Sequence, residues 1–379
     1  MDKKPTILFL PSNRNHVDIF FPIYNLLKKN FCIFALTQGQ FKNEGADDTL
    51  KNLNMPFQIF NSNLSPIDFL KHNNIDVVVV GNDSDVIPQW FVNCAKKLEI
   101  PTVLIQDGLM MNLILPKILK LQNYLKHKKS KRLLLLRLKL TLTKDFKNYL
   151  YGQTNCTLIL TWSKASESYF ENLGVNKESM KQIGYPKLIT KSKKPHVQKT
   201  ILYTPTALHQ LGLLTHSENM IMVDILNKSI SKIPNSKLII KPHPIEDVSL
   251  YEDMVKSSIN TEITNDSFYT LIQQADVVVS DISTTILESL VRNVPVIIFF
   301  PNLYKKIKSV QFPFDLIEKK IVYFANNEDE LKKILDKQLN EHIENDLERS
   351  NFLEYYLGKQ DNLFPERAAK YISDLLKIS

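Results

Sequence analysis

Residues 276–288 have the sequence DVVVSDISTTILE, and residues 237–244 have the sequence KLIIKPHP. In both, an apolar run is followed at once by polar residues. Short β-branched runs of this kind are typical of buried parallel strands. In an open α/β sheet, ligands bind in the crevice outside the carboxyl ends of such strands. His243 and the hydroxyls that follow Val279 are therefore expected at one sheet edge, in a site for a phosphate-bearing ligand.

Apolar runs alternate with helix-like segments along the whole chain. In the first half, strands are predicted at residues 6–10, 31–36, 57–60, 77–80, 102–105 and 157–160. After a polar, lysine-rich stretch, strands are predicted at residues 200–203, 237–240, 276–279, 295–298 and 321–323. Strands that alternate with helices at this spacing indicate parallel, doubly wound sheets. The sequence therefore predicts an α/β protein with two Rossmann-like domains that face a cleft.

The length of 379 residues favours two domains over a single core. The first domain is predicted at residues 1–186, with a basic helical insertion at 116–150. The second is predicted at residues 187–350, after a hinge at Gly184. The helices predicted within residues 351–379 could pack on either domain, including back on the first.

The cysteines and histidines form no pattern that indicates a disulfide framework or a metal site. Cys32, Cys94 and Cys156 are scattered, which favours a reducing compartment. His209 and His216 lie in a predicted loop without expected partners, so neither a protein-bound metal nor another cofactor is expected. The apolar run near the start is too short for a signal peptide or a membrane span. A cytoplasmic protein is the expectation.

The net charge of +8 has a local source. Between Lys117 and Lys147 there are eleven Lys and Arg residues and one acid, Asp145. Leucines are dense in the same segment, and basic amphipathic helices are typical of membrane-surface elements. The segment 117–147 could therefore hold the protein on the anionic inner face of the cell membrane. Alternatively, its leucines pack on the protein and its basic face is solvated. Nucleic-acid binding is not expected, because aromatic interleaving and a known motif are missing.

Four residues at the ends of predicted strands are candidates for binding the phosphate-bearing ligand. His243 and Pro244 belong to a Pro-His-Pro loop, in which the following proline favours an extended histidine. An imidazole held in this way can donate to a leaving phosphate, or it can simply satisfy loop carbonyls. Thr204 and Thr206 follow the strand at 200–203 and add two hydroxyls near the same edge.

A second group of candidates for binding the phosphate-bearing ligand lies at a predicted helix start. Ser283, Thr284 and Thr285 provide hydroxyls there, and free backbone N–H groups at a helix start attract anions. The spacing from Thr285 to Glu288 also fits a capping box, in which the hydroxyls only cap the helix. Glu288 could bind a sugar hydroxyl or serve as the cap partner. The two interpretations are compatible.

Asp107 and Gly108 follow the strand at 102–105. A carboxylate there could act as the general base that deprotonates an acceptor hydroxyl. The alternative is an ordinary Asp-Gly turn. Asn13, Arg14 and His16 follow the first strand, where they could line the acceptor side of the cleft or cap the next helix.

Two Rossmann-like domains, the Pro-His-Pro loop and the Ser-Asp-x-Ser-Thr-x-x-x-Glu segment at 280–288 resemble the GT-B glycosyltransferases. The chain is most similar to CDP-glycerol glycerophosphotransferases and to bacterial sialyl- and Kdo-transferases of capsule and lipooligosaccharide assembly. The sialyltransferase resemblance implies a general base at Asp107, a CMP contact at His243-Pro244 and phosphate binding at Ser283-Thr284. Gln106 departs from the first acidic position of that motif.

The glycerophosphotransferases have a His-Gly pair in place of Asp107-Gly108, and they share the stretch Tyr203-Thr204-Pro205-Thr206. The segment Phe364–Arg367 resembles their C-terminal Ser-Glu-Arg stretch. The resemblance implies a transferase with a CMP- or CDP-activated donor and a glycan or lipid-linked acceptor. It leaves the donor group, acceptor, linkage and stereochemistry open.

Two alternatives remain at this point. One is an isomerase like UDP-N-acetylglucosamine 2-epimerase, which typically has glycines where this chain has Ser283-Thr284. The other is a non-catalytic GT-B-like scaffold that binds membranes through its basic helix.

Overall fold

The computed structural model describes residues 4–39, 45–61, 64–108, 128–143, 146–147, 149–187, 198–206, 208–209, 214–243, 246–257, 260–281, 283, 285–299, 317, 320–340 and 346–378. Among the predicted residues, Pro244, Thr284 and residues 117–127 and 144–145 of the basic segment lie outside these ranges. The chain forms two compact units. Unit 1 comprises residues 1–110, 120–188 and 354–379, and unit 2 comprises residues 111–119 and 189–353.

Unit 1 contains a parallel sheet of seven strands in the order β3-β2-β1-β4-β5-β6-β7. The strands are β1 (Thr6–Leu10), β2 (Cys32–Thr37), β3 (Phe57–Ile59), β4 (Val77–Val80), β5 (Thr102–Ile105), β6 (Leu158–Thr161) and β7 (Met180–Gln182). Its helices are α1 (Arg14–Leu27), α2 (Ala46–Asn52), α3 (Pro66–His72), α4 (Val86–Lys97), α5 (Lys128–Leu142) and α6 (Lys164–Asn172), with a 3-10 turn at Lys177–Ser179.

Unit 2 contains a parallel sheet of six strands in the order β10-β9-β8-β11-β12-β13. The strands are β8 (Lys199–Thr204), β9 (Ser236–Ile240), β10 (Thr261–Ile263), β11 (Val277–Ser280), β12 (Val296–Phe299) and β13 (Tyr323–Ala325). The helices are α7 (His216–Ser231), α8 (Ser249–Ser257), α9 (Phe268–Leu271), α10 (Thr285–Val291) and α11 (Glu328–Asn340). Two further helices follow, α12 (Asp346–Leu357) and α13 (Phe364–Ile378).

Helices cover both faces of the unit 1 sheet, which is why every residue of β1 is buried. Ile7 and Phe9 point to the face covered by α1 and α13, while Leu8 and Leu10 point to the face covered by α3 and α4. This alternation follows from the two-residue period of a strand. The predicted α/β architecture of two doubly wound parallel sheets is confirmed.

Arg367 ties α13 to the end of the β7 strand. Its Nε donates to the carbonyl of Ile183 at 2.7 Å, and its two terminal nitrogens donate to the carboxylate of Asp361 at 2.9 and 2.8 Å. These bonds lower the pKa of Asp361 to about 2. Gly184 follows with φ +84°, and a Cβ there would lie 2.4 Å from the carbonyl oxygen of Lys359. Only glycine fits this approach.

The structure adds three elements that the sequence patterns did not predict: β7, β10 and α8. The last predicted strand is also displaced, because β13 begins at Tyr323 rather than at residue 321. Among the described residues, no helix has both the length and the apolar character needed to cross a bilayer.

Candidate functional site

The candidate site of unit 1 lies where the strand order reverses, between β1 and β4. Ligands of doubly wound folds bind at this switch point, beyond the carboxyl ends of the strands. The chain leaves β1, and α1 begins at Arg14 after the N-cap Asn13, whose side chain accepts the N–H of His16 at 2.9 Å. Asn13 therefore caps the helix, one of the two roles that the sequence left open for it.

His16 is fully buried beneath this edge of the sheet. The backbone N–H of Ser12 donates to its Nδ1 at 3.0 Å, and its Nε2 lies 2.6 Å from Oδ2 of Asp107. Because Nδ1 accepts a hydrogen bond, the ring proton is on Nε2 and is donated to the carboxylate. Gly81 makes room for the ring, since a Cβ there would lie 2.7 Å from Cδ2 of His16.

Three groups hold Asp107 by its main chain and side chain. Its N–H donates to the hydroxyl of Tyr151 at 3.2 Å, and its carbonyl accepts from the amide of Asn15 at 2.8 Å. His16 holds Oδ2, while the side chain keeps 19% of its surface exposed. The result is a fixed carboxylate that remains accessible from one side, as a general base must be.

Gln106 has a structural role. It is fully buried, its Oε1 accepts the N–H of Trp162 at 2.8 Å, and its Nε2 donates to the carbonyl of Gly108 at 2.7 Å. The indole N–H of Trp162 donates to the Gln106 carbonyl at 2.8 Å. The amide both donates and accepts here, which an ionised carboxylate cannot do. The departure from an acidic residue at this position is therefore a local requirement of this chain.

Asp83, in the loop between β4 and α4, holds the segment after α5 that contains Tyr151. The buried Asp83 carboxylate accepts from the N–H of Gly152 at 2.7 Å and from the hydroxyl of Thr154 at 2.6 Å. Burial raises the pKa of Asp83 despite these bonds. The Tyr151 hydroxyl donates to the Gly81 carbonyl at 3.0 Å, and burial raises its pKa well above the ordinary tyrosine value. Sequence reasoning missed Tyr151 and Asp83, since no local pattern links either to Asp107.

The corresponding edge of unit 2 contains a chain of three hydroxyls. The Ser280 hydroxyl donates to the Thr204 carbonyl at 2.9 Å. The Thr204 hydroxyl must then be the donor in its 3.1 Å contact with Ser280, and Thr285 the donor in its 3.0 Å contact with Thr204. All three protons are used inside the protein. These hydrogen bonds connect the start of α10 to the ends of β8 and β11.

The capping box predicted between Thr285 and Glu288 is wrong. Thr285 is the first residue of α10 instead of its N-cap, and its hydroxyl contacts Thr204. Ser283 Oγ accepts the N–H of Thr285 at 3.2 Å. Glu288 is buried within the same helix.

Thr206 forms two hydrogen bonds with Asp281, the residue that follows β11. Its hydroxyl donates to Oδ1 of Asp281 at 2.6 Å, and its N–H donates to Oδ2 at 3.0 Å. Asp281 is almost fully buried, and burial raises its pKa to about 7. The Thr206 hydroxyl proton is therefore held by a carboxylate of the protein.

His243 is the most exposed of the predicted donor-binding residues that the structure describes. It follows β9 and the buried Pro242. Its pKa is lowered, first by partial burial and second by the charge of Lys241. Both causes favour the neutral imidazole at neutral pH.

His209 and His216 lie beside each other, and His216 is the first residue of α7 rather than part of a loop as predicted. Their rings are 5.6 Å apart, and Nδ1 of His209 lies 3.2 Å from the carbonyl of Leu214. Within the part of the chain that the structure describes, no group of three His, Cys, Asp or Glu residues could hold a metal ion.

Comparison with solved structures identifies the fold. A putative UDP-N-acetylglucosamine 2-epimerase from Listeria monocytogenes matches with a TM-score of 0.64 at 12% identity, over 100% of this chain and 98% of its own. The S. aureus MnaA-UDP structure matches with a TM-score of 0.63 at 13% identity, over 99% and 98%. The wall teichoic acid polymerase TagF with CDPG matches with a TM-score of 0.58 at 16% identity, over 99% and 88%. This chain has the GT-B fold.

Sequence comparison adds a family match to the GT-B fold. The model of the LIC12162 family transferase matches residues 150–335. No curated protein matches the chain. The matched range contains all of the predicted donor-binding residues, whereas His16 and Asp107 lie outside it.

In this GT-B chain the predicted site residues form two groups. Asp107 lies with His16 at the switch point of unit 1. Thr204, Thr206 and Thr285 lie together at the switch point of unit 2, joined through Ser280 and Asp281. Ser283 contacts the first turn of α10, and His243 follows β9, the neighbour of β8 in the sheet.

Proposed function

We propose that this protein is a GT-B transferase that moves a sugar or polyol phosphate from a nucleotide-activated donor to a hydroxyl group of a glycan or lipid-linked acceptor. The observation that carries the proposal is the fixed, partly exposed carboxylate of Asp107, held by the buried His16 at 2.6 Å. The LIC12162 family transferase match supports the transferase class. In this proposal no protein-bound metal or other cofactor takes part.

The reaction makes one bond and breaks one. The acceptor oxygen attacks the transferred carbon or phosphorus atom, and its proton passes to the Asp107 carboxylate. The bond between that atom and the nucleotide phosphate oxygen breaks, so negative charge develops on the leaving phosphate. Donors placed toward such charge stabilise the transition state. His243 and the Ser283 hydroxyl are the donors that we assign to this role.

The remaining predicted donor-binding residues have different tasks in this proposal. The hydroxyl protons of Thr204, Thr206 and Thr285 are used within the protein, so we assign these side chains to shaping the phosphate-binding edge. We propose that Glu288 binds a hydroxyl of the sugar or ribose. Pro244 and Thr284 remain predicted donor contacts. A cytidine donor, CMP- or CDP-linked, is proposed from the family resemblance and from the similarity to TagF, which was solved with CDPG.

An epimerase is the second candidate function, because it is the activity named for similar structures. Two of the structures most similar to this chain are a putative UDP-N-acetylglucosamine 2-epimerase and MnaA with UDP. Similarity at 12% and 13% identity concerns the fold, and both activities use this fold. The family match and the absence of a glycine pair at Ser283-Thr284 favour the transferase.

We also propose that the protein is cytoplasmic and binds the inner face of the cell membrane through α5. Leu140 of this helix is buried against Val86 and Phe146. Leu135, Leu138 and Leu142 are exposed at 67%, 54% and 85% of their surface. Their spacing of three and four residues places them on one side of the helix. The helix therefore packs on unit 1 with one face and presents a second apolar face.

Nucleotide binding by wild type and two variants tests the transferase proposal. We expect CMP or CDP, rather than UMP, UDP or GDP, to raise the melting temperature by mass action. Ser283→Ala should weaken that shift. Asp107→Asn should keep it while turnover falls by about a hundredfold or more. A preference for UDP would favour the epimerase or a UDP-sugar transferase. No shift with any nucleotide would contradict both enzymes and favour a non-catalytic scaffold.

A further inference from the structure

We propose that Glu246 and Tyr251 are positioning residues that hold the main chain of His243 for its contact with the donor phosphate. The proposal rests on the role of His243 in the proposed function. It adds two residues that no sequence motif assigned.

Glu246 binds the His243 peptide on both sides. Its Oε2 accepts the backbone N–H of His243 at 3.2 Å, and its own N–H donates to the His243 carbonyl at 2.8 Å. The His243 main chain therefore has its donor and its acceptor satisfied by one residue, three positions later. This arrangement fixes the direction in which the imidazole leaves the chain.

Tyr251 connects Glu246 to the core of unit 2. Its hydroxyl donates to Oε1 of Glu246 at 2.8 Å, so each carboxylate oxygen has one donor. Tyr251 is fully buried on α8, and its ring packs edge-to-face on Tyr203 of β8 at 6.2 Å. The exposed His243 is thus linked through Glu246 and Tyr251 to the centre of the sheet.

The position of Glu246 also indicates a dedicated role. Glu246 is 8% exposed, and burial raises its pKa. Keeping an ionised carboxylate at this position therefore costs folding free energy. A catalytic imidazole needs a fixed main chain, because misplacement by about 1 Å can lower a rate by about a hundredfold.

Four variants separate positioning from general stability. Glu246→Ala removes both side-chain contacts. Glu246→Gln keeps them, since its oxygen can accept from His243 and its amide can donate to the Tyr251 hydroxyl. Tyr251→Phe removes only one contact and keeps the ring packing. Glu252→Ala, on the exposed side of α8, is the matched control.

Two readouts are measured on each folded variant: the affinity for CMP and CDP by calorimetry, and the titration of His243 by NMR. For Glu246→Ala we expect affinity to fall about tenfold or more, and the His243 pKa to rise toward the ordinary value of about 6.5 as the ring becomes solvated. Tyr251→Phe should change both in the same direction by less. Glu246→Gln should stay within about threefold of wild type, and Glu252→Ala should match it.

A wild-type His243 titration in both Glu246→Ala and Tyr251→Phe would overturn the proposal. So would Glu246→Gln behaving like Glu246→Ala, because the hydrogen bonds would then not be the cause. The NMR readout needs no nucleotide. If wild type binds no nucleotide, the proposed function fails, while the titration still decides whether Glu246 positions His243.

Discussion

Nε2 of His16 lies 2.6 Å from Oδ2 of Asp107, across 91 residues of sequence. His16 lies in the first turn of α1, which follows β1, and Asp107 follows β5; β4 separates the two strands in the sheet. His16 is fully buried and both of its ring nitrogens are engaged, whereas Asp107 is partly exposed. Asp107 is therefore the member of the pair that can reach a substrate, and His16 is the member that orients it.

Two substitutions at His16 should separate its two hydrogen bonds. Asparagine can keep an acceptor near the Nδ1 position, for the Ser12 N–H, but it is too short to reach Asp107. Glutamine can place an amide donor near Asp107 and loses the Ser12 contact. We expect His16→Asn to lower kcat by about tenfold to a hundredfold, and His16→Gln by less, because orientation of the carboxylate is the function at stake.

Steady-state kinetics with the cytidine donor identified by the binding panel provides the measurement. Both variants should leave nucleotide affinity intact, since the predicted donor-binding residues belong to unit 2. If His16→Asn turns over as fast as His16→Gln, the contact with Asp107 does not orient the base.

The hydroxyl chain of unit 2 should contribute to stability. In Thr285→Val the buried Thr204 oxygen loses the donor that reaches it at 3.0 Å. We expect the free energy of unfolding to fall by about 1 kcal/mol, the usual net value of a neutral hydrogen bond. Thr285→Ser keeps the hydroxyl and is the control. Denaturant unfolding checks the result. Wild-type stability together with weaker nucleotide binding would show that Thr285 contacts the donor instead.

Asp281 should make the stability of unit 2 depend on pH. Burial raises its pKa from 3.8 to about 7, so the folded protein keeps a proton that the unfolded chain releases. Stability therefore falls as pH rises from about 4 to about 7, and the loss persists above pH 7. Asparagine does not titrate, and its amide can still bond with Thr206. Asp281→Asn should therefore gain stability relative to wild type at pH 8, by up to about 4 kcal/mol, but little at pH 4.

Denaturation midpoints at pH 4, 6 and 8 measure this difference between variant and wild type. Asp224→Asn, at an exposed residue of α7 paired with Lys228, is the control for a surface carboxylate. A difference between Asp281→Asn and wild type that stays constant with pH would mean that Asp281 is ionised in the folded protein throughout this range.

The strands that could be predicted from the sequence are those that appear in it as apolar runs. β1, β4 and β5 are buried on both faces, so all their residues except Thr6 and Thr102 are apolar, and their bounds were predicted without error. β7 and β10 are three-residue strands at the edges of their sheets, and polar residues such as Lys181 and Glu262 interrupt their pattern. Edge strands need less burial, which leaves no apolar run to find.

In the candidate site, local sequence patterns identified some residues, whereas the roles of others depend on contacts between residues far apart in the sequence. Asp107 and His243 were predicted as site residues because each lies two or three positions after the end of a strand. The roles of His16 and Tyr151 depend on contacts across 91 and 44 residues, which no local pattern contains. The capping box failed because α10 already begins at Thr285, whose hydroxyl contacts Thr204, 81 residues away.

The exposed leucines of α5 should determine membrane binding. Burial of a leucine side chain is worth about 1.5–3 kcal/mol, and each basic residue near an anionic leaflet adds about 1 kcal/mol. We expect the triple variant Leu135→Ser, Leu138→Ser, Leu142→Ser to lose binding to vesicles that contain anionic lipid, with an unchanged melting temperature. The contacts of Leu140 with unit 1 remain in this variant.

Vesicle sedimentation at two salt concentrations separates the apolar and ionic contributions. Neutralising Lys128, Lys129, Lys131 and Arg132 should abolish the part of vesicle binding that added salt weakens, because salt screens ionic attraction. Leu26→Ser, at a residue of α1 that is 44% exposed, controls for the loss of a surface leucine elsewhere in unit 1. Sedimentation of the triple variant at the wild-type level would mean that α5 presents these leucines to something other than lipid. Equal binding to neutral and anionic vesicles would remove the role of the basic residues.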